Sequence, residues 1–146
     1  MSLPTDYTFR DALDKIVSAI EAATQLTRGP QIVDPRANPS PVMATQFSID
    51  IPRTSNRELT RGTTPIMLRH DLIVGFVKQI KMQDQYTSLL EALDTEAQIV
   101  AMPGVNTVYG PLRLEYVSTQ RTLTPSREYL AVLVTLRIDH DFDRPT

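Results

Sequence analysis

Two long runs of alternating apolar and polar residues constrain the fold more than any other feature of the sequence. In the first, Ile66–Val77, one face is apolar except at His70. In the second, Tyr129–Ile138, every second residue from Leu130 onward is apolar. Successive side chains of a strand point to opposite faces, so this period of two predicts strands with one face buried. Each strand is expected to span about 12–14 residues, well above the usual five or six.

Shorter periodic segments predict the remaining elements. Apolar residues at helical spacing predict helices over Tyr7–Leu26 and Gln85–Ala101, and alternation predicts strands over Met43–Ile51 and Leu112–Tyr116. The eleven prolines fall at or between these segments, as expected of a residue without a backbone donor. The predicted order is α-β-β-α-β-β. We therefore expect residues 1–146 to form one α+β domain: a mostly antiparallel four-stranded sheet with helices packed on one face and long hairpin loops.

The helix ends and faces are also predicted. Gly29, before Pro30, suits the left-handed position that ends the first helix. Asp84 is expected to cap the second helix. The predicted apolar stripe of that helix consists of Tyr86, Leu89, Leu90, Leu93, Ala97 and Val100.

The second faces of the two long strands are not purely polar. They carry Met67, Ile73, Val77, Tyr129 and Leu133. Apolar residues on an outer face indicate that something covers it, and we expect neighbouring subunits to do so. The alternative is that the connector 29–42, which contains four prolines, lies over this face.

Composition excludes several classes of function. The chain has no cysteine and only two histidines among its 146 residues, so disulfide scaffolds, zinc ribbons, thiol catalysis and three-histidine metal sites are excluded. A net charge of −2 argues against a dedicated nucleic-acid binder. No glycine-rich phosphate loop or nucleophile elbow is found. No signal-peptide core or membrane-spanning run is found either, so we expect a protein made in a cytoplasm, or packed into something assembled there.

Two groups of titratable residues are candidates for chemistry. On an extended strand Asp139, Asp141 and Asp143 would share one face, where three carboxylates could coordinate Mg²⁺ or Ca²⁺. A solvated chain end kept in solution by charge is the preferred interpretation. His70, in an apolar row, is expected to be a hydrogen-bonded residue at the core edge rather than a catalytic base, and His140 could cap the same edge.

Arginines in the two predicted loops are the candidate interface residues. Arg53, Arg57 and Arg61 are spaced by four in the polar loop Arg53–Thr64, where Leu59 is the one apolar anchor. The second polar loop, Ser118–Arg127, contributes Arg121 and Arg127. The planar fork of arginine suits bidentate pairing at protein interfaces, which is the preferred interpretation. A phosphate-binding patch and simple loop solvation are the alternatives.

Five segments in this order carry a family resemblance. They are FRDALDKIVSAIEAA, QFSIDIP, IMLRHDLIVGFV, QYTSLLEAL and YLAVLVTLRIDHDF. The chain resembles the tail terminator, or tail completion, and neck proteins of tailed bacteriophages over most of residues 7–142. The closing apolar strand that runs into R-I-D-H-D-F is the most similar part.

The resemblance implies a structural virion protein without catalytic residues, cofactor or metal. Such proteins form hexameric rings that stop polymerisation of the tail tube protein and provide the surface on which the head connector docks. DNA only passes through the lumen, and no membrane is involved. A near-neutral, slightly acidic subunit suits such a lumen, because each neutralised phosphate would add affinity for DNA.

Three other classes of protein remain open. The chain could be another virion ring protein, such as a head-completion adaptor or a tail tube subunit. It could be a small non-viral α+β binding module. It could also be an enzyme with a metal site at 139–143.

Overall fold

The computed structural model describes residues 9–56, 66–101 and 112–142. Within these ranges, two helices, five strands and one 3-10 turn follow one another. They are helix α1 (Phe9–Thr24), strand β1 (Thr27–Arg28), the 3-10 turn (Pro41–Thr45), strands β2 (Gln46–Asn56) and β3 (Ile66–Gln79), helix α2 (Gln85–Ala101), and strands β4 (Leu112–Leu123) and β5 (Tyr129–Phe142).

The five strands form one mixed sheet in the order β1-β2-β3-β5-β4. Strand β1 pairs with β2 in parallel, and the other three pairings are antiparallel. The fold is α+β overall, but the predicted mostly antiparallel four-stranded sheet is wrong. The additional strand consists of Thr27 and Arg28 alone, and two residues are too few to produce a readable alternation.

The two central strands confirm the prediction of unusual length. Strands β3 and β5 have 14 residues each and pair along their whole length, from Ile66 opposite Phe142 to Gln79 opposite Tyr129. This pairing joins parts of the chain that are far apart in sequence. The centre of the sheet is therefore built from non-local contacts.

Both strands that flank this pair run further than the sequence predicts. Strand β2 continues past Pro52 to Asn56 through a register shift between Asp50 and Arg53. Proline is tolerated at a bulge on an edge strand because its missing donor is not needed there. Strand β4 continues to Leu123 through a shift between Tyr116 and Ser118. The predicted loop Ser118–Arg127 is therefore mostly strand, and only 124–128 turn.

Helices α1 and α2 pack on one face of the sheet, as predicted. Ile16 and Ile20 of α1 and Ala92 and Ile99 of α2 are buried against it. The sheet contributes the larger share of this core: Phe47, Leu72, Val74, Phe76, Leu114, Leu130, Val132, Val134, Leu136 and Ile138. The alternating apolar residues of β3 and β5 thus lie in the core, as their period of two predicts.

The helix ends agree with the sequence prediction at α2 and differ at α1. Oδ1 of Asp84 accepts a hydrogen bond from the backbone N–H of Thr87 at 3.0 Å, which confirms the cap. Helix α1 ends at Thr24, and Gln25 takes the left-handed conformation with φ of 65°. The prediction that Gly29 ends α1 is wrong. Instead, the N–H of Gly29 donates to the carbonyl of Phe47 at 2.8 Å, next to the pairing of β1 with β2.

The connector between β1 and β2 covers one end of the opposite face. Val33 of the connector and Met43 of the 3-10 turn that follows it are buried there against Val77, Tyr129 and Ala131 of the sheet. The N–H of Val33 donates to the Ser48 hydroxyl at 3.1 Å, and Asn38 Oδ1 accepts from the N–H of Ser126 at 2.8 Å. At this end the alternative in which the chain covers its own outer face is confirmed. Neighbouring subunits are not needed to bury Val77 or Tyr129.

Within the described ranges, neither helix combines the length and apolarity needed to cross a bilayer.

Candidate functional site

The far end of the outer face, beyond the connector, is charged. A row across four strands alternates in sign: Arg53 of β2 is opposite Asp71 of β3, Asp71 is opposite Arg137 of β5, and Arg137 is opposite Glu115 of β4. Nη1 of Arg137 lies 3.8 Å from Oε2 of Glu115. We call this row, together with the adjoining pair Arg69–Asp139, the charged lattice.

Asp139 forms the best-buried ion pair of the lattice. Nε of Arg69 donates to its Oδ1 at 2.8 Å and Nη2 donates to its Oδ2 at 3.3 Å. These hydrogen bonds raise the pKa of Arg69 above its usual value. Asp139 is only 8% exposed, so the interpretation of this residue as solvating charge is wrong. Asp139 lies opposite Arg69 on the neighbouring strand. The sequence around Asp139 does not reveal this pairing.

The rest of the acidic cluster falls largely outside the described residues. The side chain of Asp141 and the whole of Asp143 lie outside the described residues. Among the residues that are described, no three His, Asp or Glu side chains are grouped so that they could hold a metal ion.

His70 is a hydrogen-bonded residue at the core edge, as predicted. It is buried on the helix-facing side of β3, and its Nδ1 lies 2.8 Å from Oγ1 of Thr54 on β2. Burial disfavours the charged imidazolium and lowers the pKa of His70. Protonation of this ring is therefore linked to folding.

The linkage predicts a loss of stability in mild acid. The pKa of His70 is lowered in the folded protein, so its neutral ring contributes fully above the unfolded pKa of about 6.5. That contribution is lost as pH falls from about 6.5 through the lowered folded value. We expect the free energy of unfolding, measured in urea between pH 7.5 and 5, to fall less steeply for His70→Gln than for the parent. Equal slopes would contradict the assignment to His70.

The structure separates the candidate arginines instead of gathering them. Arg53 lies in β2, in the charged lattice, and not in a loop. Arg127 is exposed in the β4–β5 turn with φ of 63°. Arg121 lies in β4, on the far side of the sheet from β2. Arg57, Leu59 and Arg61 lie outside the described residues, so the interface role of that group stays a prediction.

Arg121 has a partner within its own chain. Its Nη2 donates to Oε2 of Glu96 on α2 at 2.6 Å. The side chain of Glu96 is 12% exposed and that of Arg121 is 41% exposed. The pair joins the inner face of β4 to α2.

Removing Arg121 is therefore expected to affect stability. Arg121→Ala leaves a largely buried carboxylate without this donor, and we expect it to lower the free energy of unfolding by about 1–2 kcal/mol, discounted for the exposure of the arginine. Arg127→Ala, in the exposed turn, is the control and is expected to change stability by less than about 0.5 kcal/mol. Urea denaturation measures both. Equal effects of the two variants would show that the ion pair does not stabilise the fold.

The apolar stripe predicted for α2 faces largely away from the core. The buried residues of α2 are Ser88, Ala92, Glu96 and Ile99. Tyr86 is 71% exposed, and Leu89 and Leu90 are 39% and 40% exposed. Counting apolar residues at helical spacing selected the wrong face, because the small residues Ser88 and Ala92 let the helix pack closely on the sheet. The larger apolar residues of α2 are therefore left largely exposed.

Three apolar residues of α2 lie on the side of the helix that faces β4. With 3.6 residues per turn, Tyr86, Leu89 and Leu93 fall on the same side of α2 as Glu96, and Glu96 contacts Arg121 of β4. Strand β4 adds exposed apolar residues at the sheet edge. We call the whole set the α2–β4 surface: Tyr86, Leu89, Leu90, Tyr116, Val117 and Leu123. An apolar surface beside an open strand edge is suited to contact with protein.

Comparison with known proteins finds a likeness in fold but none in sequence. No protein-family model matches the chain, and no curated protein matches its sequence. Among solved structures, the fold is similar to that of a chain from the virion of a native gene transfer agent particle, with a TM-score of 0.53 and 12% sequence identity. The match covers 97% of this chain and 100% of the other. At this identity the likeness shows a common fold.

Proposed function

We propose that this chain is a structural, non-catalytic subunit of a virion. The observation that carries the proposal is the likeness to a virion chain, which extends over 97% of this chain and all of the other. Because the match extends over nearly all of both chains, the likeness is not confined to a small shared fragment.

The finer role that we propose is that of a tail terminator. Copies of the chain would form a ring of six at the end of the tail tube, stop its growth and present a docking surface to the head connector. DNA would pass through the lumen without being held. The order of the five sequence segments supports this role. The exposed apolar α2–β4 surface supports the part of it that requires contact between copies.

Deletion of the gene that encodes this chain, in a cell that produces the particles, tests this role. We expect the deletion strain to produce tails of irregular length that are not joined to heads, because nothing ends tube growth. Negative-stain microscopy measures tail length, and a plasmid copy of the wild-type chain is the control that should restore uniform, head-joined tails. Particles of normal form and yield from the deletion strain would refute a virion role.

The position and symmetry of the chain are tested on intact particles. Averaged images of the tail and neck, with the chain labelled at an epitope tag, are expected to show it as a sixfold ring between tube and head. A label along the whole tube would identify a tube subunit instead, and a label on the head side would identify an adaptor. A ring that is neither sixfold nor twelvefold would contradict the hexamer.

A further inference from the structure

Residues 30–45 lie over one end of the outer face of the sheet. We call this segment, the connector together with the 3-10 turn that follows it, the strap. Two of its apolar side chains, those of Val33 and Met43, are buried at 6% and 9% exposure. They pack on an apolar patch of the sheet, which consists of Val77, Tyr129, Ala131 and Leu133. The strap thus forms a layer of its own on the side opposite the helices.

The packing of the strap is separate from the main core. Among the residues that the structure describes, the cluster that holds both helices to the sheet includes none from the strap. The patch beneath the strap includes none from that cluster. The sheet therefore lies between the two clusters. Movement of the strap away from the sheet exposes the patch and leaves the packing of helices on sheet intact.

Few polar contacts join the strap to the rest of the fold. The N–H of Val33 and the side chain of Asn38 each form one hydrogen bond to it, at 3.1 Å and 2.8 Å. The ion pair between Arg36 and Asp34, at 3.3 Å, joins two residues of the strap itself. A segment with few buried contacts and few hydrogen bonds to its surroundings opens at a lower free energy than the whole fold does.

Four prolines stiffen the strap: Pro30, Pro35, Pro39 and Pro41. Each proline fixes its own φ and restricts the residue before it. A stiff segment loses less conformational entropy when it is ordered again on the sheet. Because the chain between Val33 and Met43 is stiff, we expect these two side chains to leave the sheet and return to it together.

We infer that the strap is a detachable cover, which leaves the sheet as a unit while the sheet and the helices stay folded. The closed form hides the apolar patch, and the open form exposes it beside the charged lattice. Exposure of this patch is therefore controlled by a local equilibrium within one subunit. The inference concerns the fold of the single chain and does not depend on the proposed role in a virion.

Thiol labelling under native conditions tests the inference. The chain has no cysteine, so an introduced cysteine is its only thiol. Val77→Cys places a thiol beneath the strap, and Val134→Cys places one in the main core. The two are matched, because both valines are buried in the central strands. Val42→Cys, at a position that is 59% exposed, gives the labelling rate of an open thiol.

The three rates are expected to fall in a fixed order. Val77→Cys should be labelled about 100- to 10,000-fold more slowly than Val42→Cys, because it reacts only when the strap is open. Val134→Cys should be labelled more slowly still, because it reacts only when the whole fold opens. The labelling of Val77→Cys should also rise little with urea, since opening of the strap exposes little surface, whereas that of Val134→Cys should rise steeply.

A core variant separates partial opening from complete unfolding. Ile20 is fully buried in the main core, and Ile20→Val weakens that core equally whether the strap is closed or open. The added substitution is therefore expected to speed the labelling of Val134→Cys about fivefold and to leave that of Val77→Cys unchanged. Circular dichroism checks the fold of each variant. Ala131→Cys, also beneath the strap, replaces Val77→Cys if the latter does not fold.

Two results would overturn the inference. If Val77→Cys and Val134→Cys are labelled at equal rates with equal urea dependence, the strap leaves the sheet only when the whole chain unfolds. If Val77→Cys is labelled as fast as Val42→Cys, the strap does not cover the patch at all.

Discussion

Replacing Gly75 with valine is expected to lower the free energy of unfolding by about 3 kcal/mol. Gly75 lies in β3 beneath the connector, where a Cβ would come within 2.9 Å of Oγ of Ser48, 3.0 Å of Cβ of Val33 and 3.1 Å of Cδ2 of Leu133. The Ser48 hydroxyl already accepts the N–H of Val33, so it cannot turn aside without breaking that bond. A branched side chain must push the connector off the sheet.

Gly75→Ala is the control for this prediction. Its single methyl group is expected to cost about 1 kcal/mol, since small shifts relieve part of the crowding and a strand gains from losing a glycine. Urea denaturation measures both variants. Limited proteolysis of the folded proteins gives a second readout, because a displaced connector should be cut faster within 29–45 in the valine variant. Equal stability of valine variant and parent would show that the connector does not pack on this face.

Asp139→Ala is expected to lower the free energy of unfolding by about 2–3 kcal/mol. The substitution removes the acceptor of two hydrogen bonds from Arg69, whose side chain is only 26% exposed, and leaves its charge poorly solvated. The expected loss of stability is smaller than for a fully buried ion pair because water still reaches the guanidinium of Arg69. Urea denaturation at neutral pH measures the loss.

Glu115→Ala is the matched control in the same lattice. Glu115 is 63% exposed and lies 3.8 Å from Arg137, so its removal is expected to change stability by less than about 0.5 kcal/mol. Replacing both members of the buried pair, as Arg69→Met with Asp139→Leu, is expected to recover most of the loss, because no charge is then left without a partner. If Asp139→Ala lowers the free energy of unfolding no more than Glu115→Ala does, burial of the Arg69–Asp139 pair does not contribute to stability.

Local sequence patterns predicted those elements whose burial is regular. The long strands β3 and β5 alternate throughout, and α1 has a single apolar stripe, so their type and position are readable. Strand β1 was missed because Thr27 and Arg28 are held by pairing with Gln46 and Phe47 alone. The sequence predicts a loop for the second half of β4 because Ser118, Thr119 and Gln120 are polar, although an edge strand with one open side tolerates polar residues well.

The candidate site was harder to predict because it depends on which faces meet. Asp139 and Arg69 are 70 residues apart, and only the register of β3 with β5 brings them together. Helical spacing identified Tyr86, Leu89 and Leu90 as one stripe, but it could not show that the sheet lies on the other side. One signal was available: Ser88, Ala92 and Ile99 are also spaced as a helical face, and their small members permit close packing.

The charged lattice has a consequence for how the chain finds its fold. Strands β3 and β5 must pair across more than fifty intervening residues at most positions, and such non-local pairing forms slowly and is open to error. A slip of two residues would keep every side chain on its proper face, so burial alone would not reject it. In one direction that slip sets Asp71 opposite Asp139, and in the other it sets Arg69 opposite Arg137. Like charges directly opposite each other repel, so each slip replaces an attractive native pair with a repulsive one, and the lattice favours the native alignment of the two strands.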